Sequence, residues 1–478
     1  MAPAFASAES SRLAAAASKR WLALAIGSLL ASGVLALFLV VGRAPGLHTL
    51  FTDPLLFKRC LVVHVDLALV VWLHAFIVAL FFRVPSSSEP TLAARASPYV
   101  AAAGVGLLGI AAAVPGAEPI LANYVPVIDQ PFFVAGLVIF GLGVMLAVMD
   151  RRIIPDHALP APGTLPASSA AGIRAAAVAM LVAETTFGAA ATTTPPGLQP
   201  KDYWELVAWG GGHILQFAMV TAMLAIWLAL VEGATGRPVM SARAAALLFA
   251  LHVAPTFAGP LLAFNGTTVH PYYGAFTQMM RWGIWPVPLV MLSASLTTLM
   301  RARRLGSLTS WRDPRAAAFG ASALLTVAGF LLGASIRGSD TRVPAHYHAS
   351  IGAVTAACMA MTWPLLHSVG AVLRNHRGMN AMRWQPLVFG LGQLTFALGF
   401  ALAGAAGMGR KAYASEQHVR TWVESLGLGV MALGGLVAVG AGAFFLYGVL
   451  RAWLHGPIAA PETAQGDFAW NQSIPSRG

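Results

Sequence analysis

Charge is scarce in this sequence: of 478 residues, only 10% are Asp, Glu, Lys or Arg. Soluble domains carry about a quarter charged residues, which cover their surface. A soluble enzyme and a disordered chain are therefore both excluded. Cysteine is rarer still. The two present, Cys60 and Cys358, sit inside apolar runs, which excludes a secreted disulfide scaffold. No CxxC, CxxCH or Cys/His zinc spacing occurs, so covalently attached haem and thiolate metal clusters are excluded as well. Short segments of alternating polarity, the mark of a transmembrane β-barrel, are also missing.

What is present is apolar length. Hydrophobic residues make up 57% of the chain, and a spanning helix needs about 20 of them in a row. Twelve such runs lie near 21–42, 60–82, 98–116, 130–149, 172–193, 206–231, 243–264, 282–300, 316–336, 346–373, 386–408 and 425–451. The expected fold is all-α, a polytopic membrane protein of about twelve transmembrane helices. Glycine and proline inside many runs are tolerated in lipid-buried helices, and the glycine content fits close helix packing. Residues 1–20 read as a polar cytoplasmic tail, 21–455 as the membrane domain and 456–478 as a polar C-terminal tail. The run at 21–42 is too long for a signal peptide core and reads as a retained anchor.

Lys and Arg number 30 against 18 Asp and Glu, a net charge of +12. With the N-terminus cytoplasmic, twenty of the thirty basic residues fall on the inner side. That bias places both termini inside. The positive charge is then a topology signal, and it calls for no nucleic-acid partner. The tryptophans near span ends read as an interfacial belt against membrane lipid.

Thirteen histidines are many for so apolar a chain. Ionisable groups are costly inside a membrane and are functional candidates there. The alternation of spans puts His64 (span 2), His213 (span 6), and His346 and His348 (span 10) at one level, in the outer third of the membrane. His270 lies just beyond Asn265 at the outer end of span 7. Imidazoles at one depth suggest a metal or haem layer. Residues two apart on a helix point about 200° apart, so His346 and His348 face opposite sides of span 10 and suit two different centres. His74 and His252 read as core histidines. His48, His157, His367, His376, His418 and His455 read as solvated. Glu184 in span 5 is a carboxylate among apolar residues, which must be neutral or paired. It is either a proton relay or a structural group bonded to Thr185 or Thr186. Asp66, near the outer surface, is expected to pair with a basic residue.

Taken together, His64, the Trp209-Gly210-Gly211-Gly212-His213 segment and His346-Tyr347-His348 resemble subunit I of the haem–copper oxidase superfamily, which includes oxygen reductases and nitric oxide reductases. The 403–411 segment, ending in Arg410 and Lys411, is similar to the basic pair that holds haem propionates in that superfamily. The Asn123-Tyr124-Val125-Pro126-Val127-Ile128-Asp129 segment is similar to its sequence before span 4. The resemblance spans all twelve runs. It implies that His64 and His348 are axial ligands of a low-spin haem, that His346 is the single ligand of a high-spin haem, both of the b type, and that His213 ligates a non-haem iron or copper. It also implies a small gas substrate, NO or O2, and a bacterial cytoplasmic membrane; since the sequence carries no CxxCH and no two-cysteine copper motif, a separate electron-donor subunit is expected on the outer face.

The sequence departs from the superfamily at two places. One helical turn below His213, where many oxygen reductases carry a tyrosine linked to the histidine, stands Phe217, with Gln216 beside it. Where span 7 of the superfamily ends in adjacent histidines, this chain reads Leu261-Leu262-Ala263-Phe264-Asn265. Either a re-routed helix end brings His270 to the metal, with Asn265 or a tyrosine hydroxyl as a weak ligand, or the metal is absent or unusually bound. Tyr272 or Tyr273 would be the replacement for the missing tyrosine. The expected activity is nitric oxide reduction to N2O, with Glu184 and Tyr272 as catalytic residues. The alternatives are oxygen reduction coupled to proton movement, and a non-catalytic haem protein.

Overall fold

A computed structural model of the chain describes residues 8–41, 55–156, 158, 162–306, 313–371, 376–410 and 421–454. Among these residues, twelve helices are long and apolar enough to cross a membrane. In chain order the elements are α1 (Ala8–Val41); α2 (Leu56–Val65) and α3 (Trp72–Phe81), joined by a π-helical turn over Asp66–Val71; α4 (Leu92–Ala112); the strands β1 (Glu118–Ile120) and β2 (Val127–Asp129); α5 (Pro131–Val148); α6 (Ala167–Thr193); and α7 (Pro200–Thr235). Then follow α8 (Ala242–Val253) and α9 (Ala258–Phe264), joined by a 3-10 turn; α10 (Pro271–Gly283) and α11 (Pro286–Arg304); α12 (Pro314–Ser335); α13 (Arg342–Ser368); α14 (His376–Ala405); and α15 (Trp422–Leu454).

Two boundaries differ from the sequence reading. Helix α1 starts at Ala8, so residues 8–20 continue the helix instead of forming a tail. Alanine is the strongest helix former, and the polar side chains there find partners. Ser10 donates to Ser88 O at 2.9 Å and Ser18 to Ala79 O at 2.8 Å. The eighth span starts at Pro271, with proline at the first helical turn, where its fixed φ and missing N–H suit it. His270 therefore precedes span 8 and does not extend span 7. Lys411 and the 456–478 segment lie outside the described residues.

The chain divides into two compact units, 1–225 with 241–289, and 226–240 with 290–478. In the first, α4 and α5 meet through glycine: a Cβ on Gly104 would stand 2.5 Å from Phe140 N and 2.6 Å from Gly136 O. Only a bare backbone permits that approach. Its loops are tied by the arginines that signalled topology. Arg152 and Asp150 form a buried pair at 2.9 Å, Asp150 also accepts the Thr91 N–H at 2.9 Å, and Arg83 donates through Nε to Gly163 O at 2.7 Å. Burial, with Arg152 nearby, pulls the Arg83 guanidinium down to about 10. In the second unit, a Cβ on Gly392 would lie 2.6 Å from Ala438 N and one on Gly427 2.7 Å from Ala403 N, which packs α14 on α15. Trp227 Nε1 donates to Ser322 Oγ at 2.8 Å, which donates to Ala353 O at 2.8 Å. These two buried groups are thus satisfied within the bundle.

Candidate functional site

The second unit presents His346 and His348 on the first turns of α13. The 200° offset is realised in packing. His346 faces α12: its Nδ1 lies 2.7 Å from Gly329 O, and a Cβ on Gly333 would come within 2.8 Å of that nitrogen. His348 faces α14, with Phe396 and Phe400 at ring-centroid distances of 4.7 and 5.9 Å. The Gly329 carbonyl requires a proton on Nδ1 of His346, which leaves Nε2 as a lone-pair donor. Neither nitrogen of His348 has a hydrogen bond to a described residue. The helix is anchored at its start by Thr341, whose N–H donates to Met408 O at 3.0 Å. A bridge between Asp340 and Gly409 holds the strand-like approach to Arg410. The Nε atom of Arg410 is buried and has no hydrogen-bond partner among the described residues. Asp340 meets the Arg342 guanidinium at 2.6 Å, and hydrogen bonds from Arg342 hold its carboxyl below the usual range.

In the first unit, His64 ends α2 against Ser32 of α1. Its Nδ1 lies 2.8 Å from Ser32 O and 2.9 Å from Ser32 Oγ, while Ser32 Oγ also donates to His64 O at 3.0 Å. The carbonyl again fixes the proton on Nδ1 and leaves Nε2 without a hydrogen bond to a described residue.

His213 is different. Its Nδ1 lies 2.6 Å from Trp209 O, and its Nε2 lies 2.9 Å from the Tyr124 hydroxyl. Both nitrogens are committed. Aromatic rings enclose the imidazole, with Tyr124, Trp209 and Phe276 centroids at 4.5, 4.7 and 5.8 Å. The three glycines before His213 each admit one ring. A Cβ on Gly210 would lie 2.8 Å from Phe276, one on Gly211 2.6 Å from Phe187, and one on Gly212 2.6 Å from Tyr124 Cγ. Tyr124 itself sits at φ 71, the one described non-glycine residue in the left-handed region. Such a conformation costs about 1–3 kcal/mol and persists where its surroundings over-determine it. Here the Val125 N–H closes a turn onto Asn123 O at 3.0 Å, and Asn123 is clamped by Glu205, whose Oε2 accepts the Asn123 N–H at 2.8 Å and whose Oε1 accepts the side-chain amide. Burial, aided by the Glu205 charge, pushes the Tyr124 phenol up, so it is protonated at neutral pH and donates to His213.

The remaining expected site residues do not join this group. Asn265 ends α9 and is exposed, as is His270. Among the described residues, no three of His, Cys, Asp and Glu are grouped to hold a metal ion. Tyr272 is buried, but its hydroxyl accepts the Gly210 N–H at 3.2 Å and donates to Leu206 O at 2.9 Å. It braces one rung of α7 and does not reach His213; the tyrosine that does is Tyr124. Glu184 packs against α5, where a Cβ on Gly141 would come 2.8 Å from its Oε2. The expected threonine partners are turned away, Thr185 to Leu181 O at 2.8 Å and Thr186 to Val182 O at 2.7 Å.

Sequence reasoning erred on Asp66. It is fully buried at the first residue of the π-helical turn, and neither carboxylate oxygen has a hydrogen-bond partner. The basic partner expected for it is not there. π-turns inserted into α-helices are frequent at functional sites, and no sequence period marks this one. His252, read as a hydrogen-bonded core histidine, is buried with both nitrogens unpartnered and its ring 5.2 Å from that of Phe217. His74 bonds Val70 O through Nδ1 and leaves Nε2 unpartnered.

The donor chemistry divides two cofactors. His64, His346 and His348 have Nε2 uncommitted, two of them with the tautomer fixed by a backbone carbonyl, the arrangement that orients ligating imidazoles. The unpartnered Arg410 Nε suits a carboxylate such as a propionate. These residues fit haem. His213, His270 and Asn265 do not fit a non-haem metal.

The family model of cytochrome c and quinol oxidase polypeptide I matches residues 16–438. An uncharacterised protein of Aquifex aeolicus is 29% identical over 355 residues, covering 73% of this chain and 84% of its own length. An uncharacterised protein of Rickettsia prowazekii is 24% identical over 491 residues, covering 89% and 94%. The cryo-EM structure of a haem–copper terminal oxidase dimer superposes with a TM-score of 0.67 at 15% identity, over 93% of this chain and 85% of that one. That last match speaks for the fold.

Proposed function

This chain belongs to the cytochrome c and quinol oxidase polypeptide I family, and on that premise we propose that it is a membrane-bound haem reductase acting on nitric oxide. The observation that carries the choice of gas is Phe217, fully buried one turn below His213, with a ring that supplies neither a proton nor a radical. Four-electron reduction of oxygen must break an O–O bond. Nitric oxide reduction needs less: two NO, two protons and two electrons give N2O and water.

In this reading His64 and His348 hold a low-spin haem and His346 holds a high-spin one. Bound at these residues, the first haem would supply electron transfer and the second the chemistry of gas binding and reduction. The Ser32 and Gly329 carbonyls keep His64 and His346 in the ligating tautomer and raise their basicity. Arg410, with Lys411, neutralises propionate charge. Glu184, free of its threonine neighbours, carries protons from the α5–α6 side. Nothing in the scheme uses a non-haem metal. Electrons arrive from a separate subunit on the outer face of a bacterial cytoplasmic membrane, with both termini inside. A second reading, oxygen reduction, is favoured by one observation, the phenol of Tyr124 on His213.

The test is turnover of the purified, reduced chain with each gas in turn. One N2O formed per two NO consumed, with oxygen uptake at least ten-fold slower, is the expected result. Faster oxygen uptake would overturn the choice of gas, and absence of haem would overturn the whole reading.

A further inference from the structure

A metal-binding histidine must present a lone pair, and a neutral imidazole has one. In His213 the Trp209 carbonyl, 2.6 Å from Nδ1, requires that nitrogen to carry the proton. The one lone pair is then on Nε2, where the Tyr124 hydroxyl stands at 2.9 Å. A hydroxyl donating to that lone pair and a metal ion bound to it are mutually exclusive.

Tyr124 is not a loose neighbour that an incoming ion would brush aside. Its backbone is held at φ 71, its preceding residue is clamped twice by Glu205, and its ring is packed edge-on against Trp209 at 5.6 Å. Gly212 is the residue that lets the ring approach, since a Cβ there would overlap Tyr124. The other side chains around the imidazole are Trp209 and Phe276, rings with no ligand atom for a hard or borderline cation. The family position for further ligands is filled by Asn265 and followed by His270, and both are exposed.

We infer that His213 is not a metal ligand in this chain, and that the Tyr124 hydroxyl, hydrogen-bonded to its Nε2 inside an aromatic box, occupies the place of the non-haem ion. The pair is a neutral, fully hydrogen-bonded Trp209–His213–Tyr124 chain. It takes His213 out of any metal site of the polypeptide. Tyr124 is a positioning residue in this account: it fixes the imidazole and closes its lone pair.

The inference rests on the proposed function only in taking the chain for a haem protein, and its test counts metal separately from haem. The full-length chain is purified in detergent, incubated with excess Cu(I) or Fe(II), and freed of unbound ions by gel filtration. Iron, copper and zinc are measured by mass spectrometry, and haem by its pyridine complex. The expected result is iron equal to haem, with less than about 0.1 of any other ion per parent chain; an ion that enters only Tyr124→Phe, which keeps the ring but frees the lone pair, accords with exclusion by the hydroxyl. One additional ion per parent chain that is lost in His213→Ala would overturn the inference. An additional ion that survives His213→Ala lies elsewhere and leaves His213 outside its ligand set, as inferred. A chain without haem would instead defeat the proposed function, so the two failures are distinguishable.

Discussion

The turn of α13 that carries His346 and His348 and the turn of α7 that carries His213 use the same residue type in opposite ways. On α13 the histidines are served from one side only. A carbonyl accepts a hydrogen bond from Nδ1 of His346, phenylalanine rings flank His348, and the far nitrogens have no partner among the described residues. On α7 the far nitrogen of His213 is also taken, by a tyrosine 89 positions away in sequence. The difference is between an imidazole oriented for a ligand and an imidazole already satisfied. It teaches that a family histidine should be read by what its second nitrogen does, not by its place in a motif.

Four changes bear on this contrast, and the largest effect is expected at His346. Its replacement by Ala should abolish the high-spin haem signal and carbon monoxide binding to the reduced protein; retention of both would remove His346 from the ligand set. Gly212→Ala comes next. A Cβ there overlaps the Tyr124 ring, and overpacking of that kind costs about 1–3 kcal/mol. A lowered thermal midpoint with the haem spectra intact is expected, and an unchanged midpoint would mean that Tyr124 yields easily.

Smaller effects follow beside His64 and at the start of α13. Ser32→Ala removes the hydroxyl that donates to His64 O while keeping the carbonyl that orients its ring. A loss of about 1 kcal/mol, typical of one hydrogen bond, is expected, with the low-spin spectrum retained. Loss of that spectrum would show that the hydroxyl, not the carbonyl, positions the imidazole. The smallest effect belongs to the half-buried Asp340–Arg342 pair. The Asp340 carboxyl is held below its ordinary value in the folded chain. Its contribution is therefore complete above the ordinary aspartate range, near pH 4, and is lost as pH falls through the lowered folded value. A denaturation series from pH 6 to 3 should show a slightly steeper acid loss in the parent than in Asp340→Asn.

The architecture was largely legible in the sequence, because long apolar runs in lipid favour helices, and among the described residues twelve helices are long and apolar enough to span. The start of α1 was not, since its first turns are alanine and serine with little hydropathy. The divergence of His346 and His348 followed from helical period alone. Tyr124 was visible only as part of a motif. Its contact with His213 depends on a strained turn and a glycine 88 positions on, and no local pattern encodes a pairing over that distance. Asp66 misled for the same reason: its depth depends on a π-helical turn that hydropathy does not register, and it is buried without the partner expected for it.

Optical spectroscopy of four single variants, His64→Ala, His346→Ala, His348→Ala and His213→Ala, tests the central contrast most directly. The account predicts that each of the first three loses one haem signature and that His213→Ala keeps both. Loss of a haem signature in His213→Ala, or of none in the other three, would contradict it.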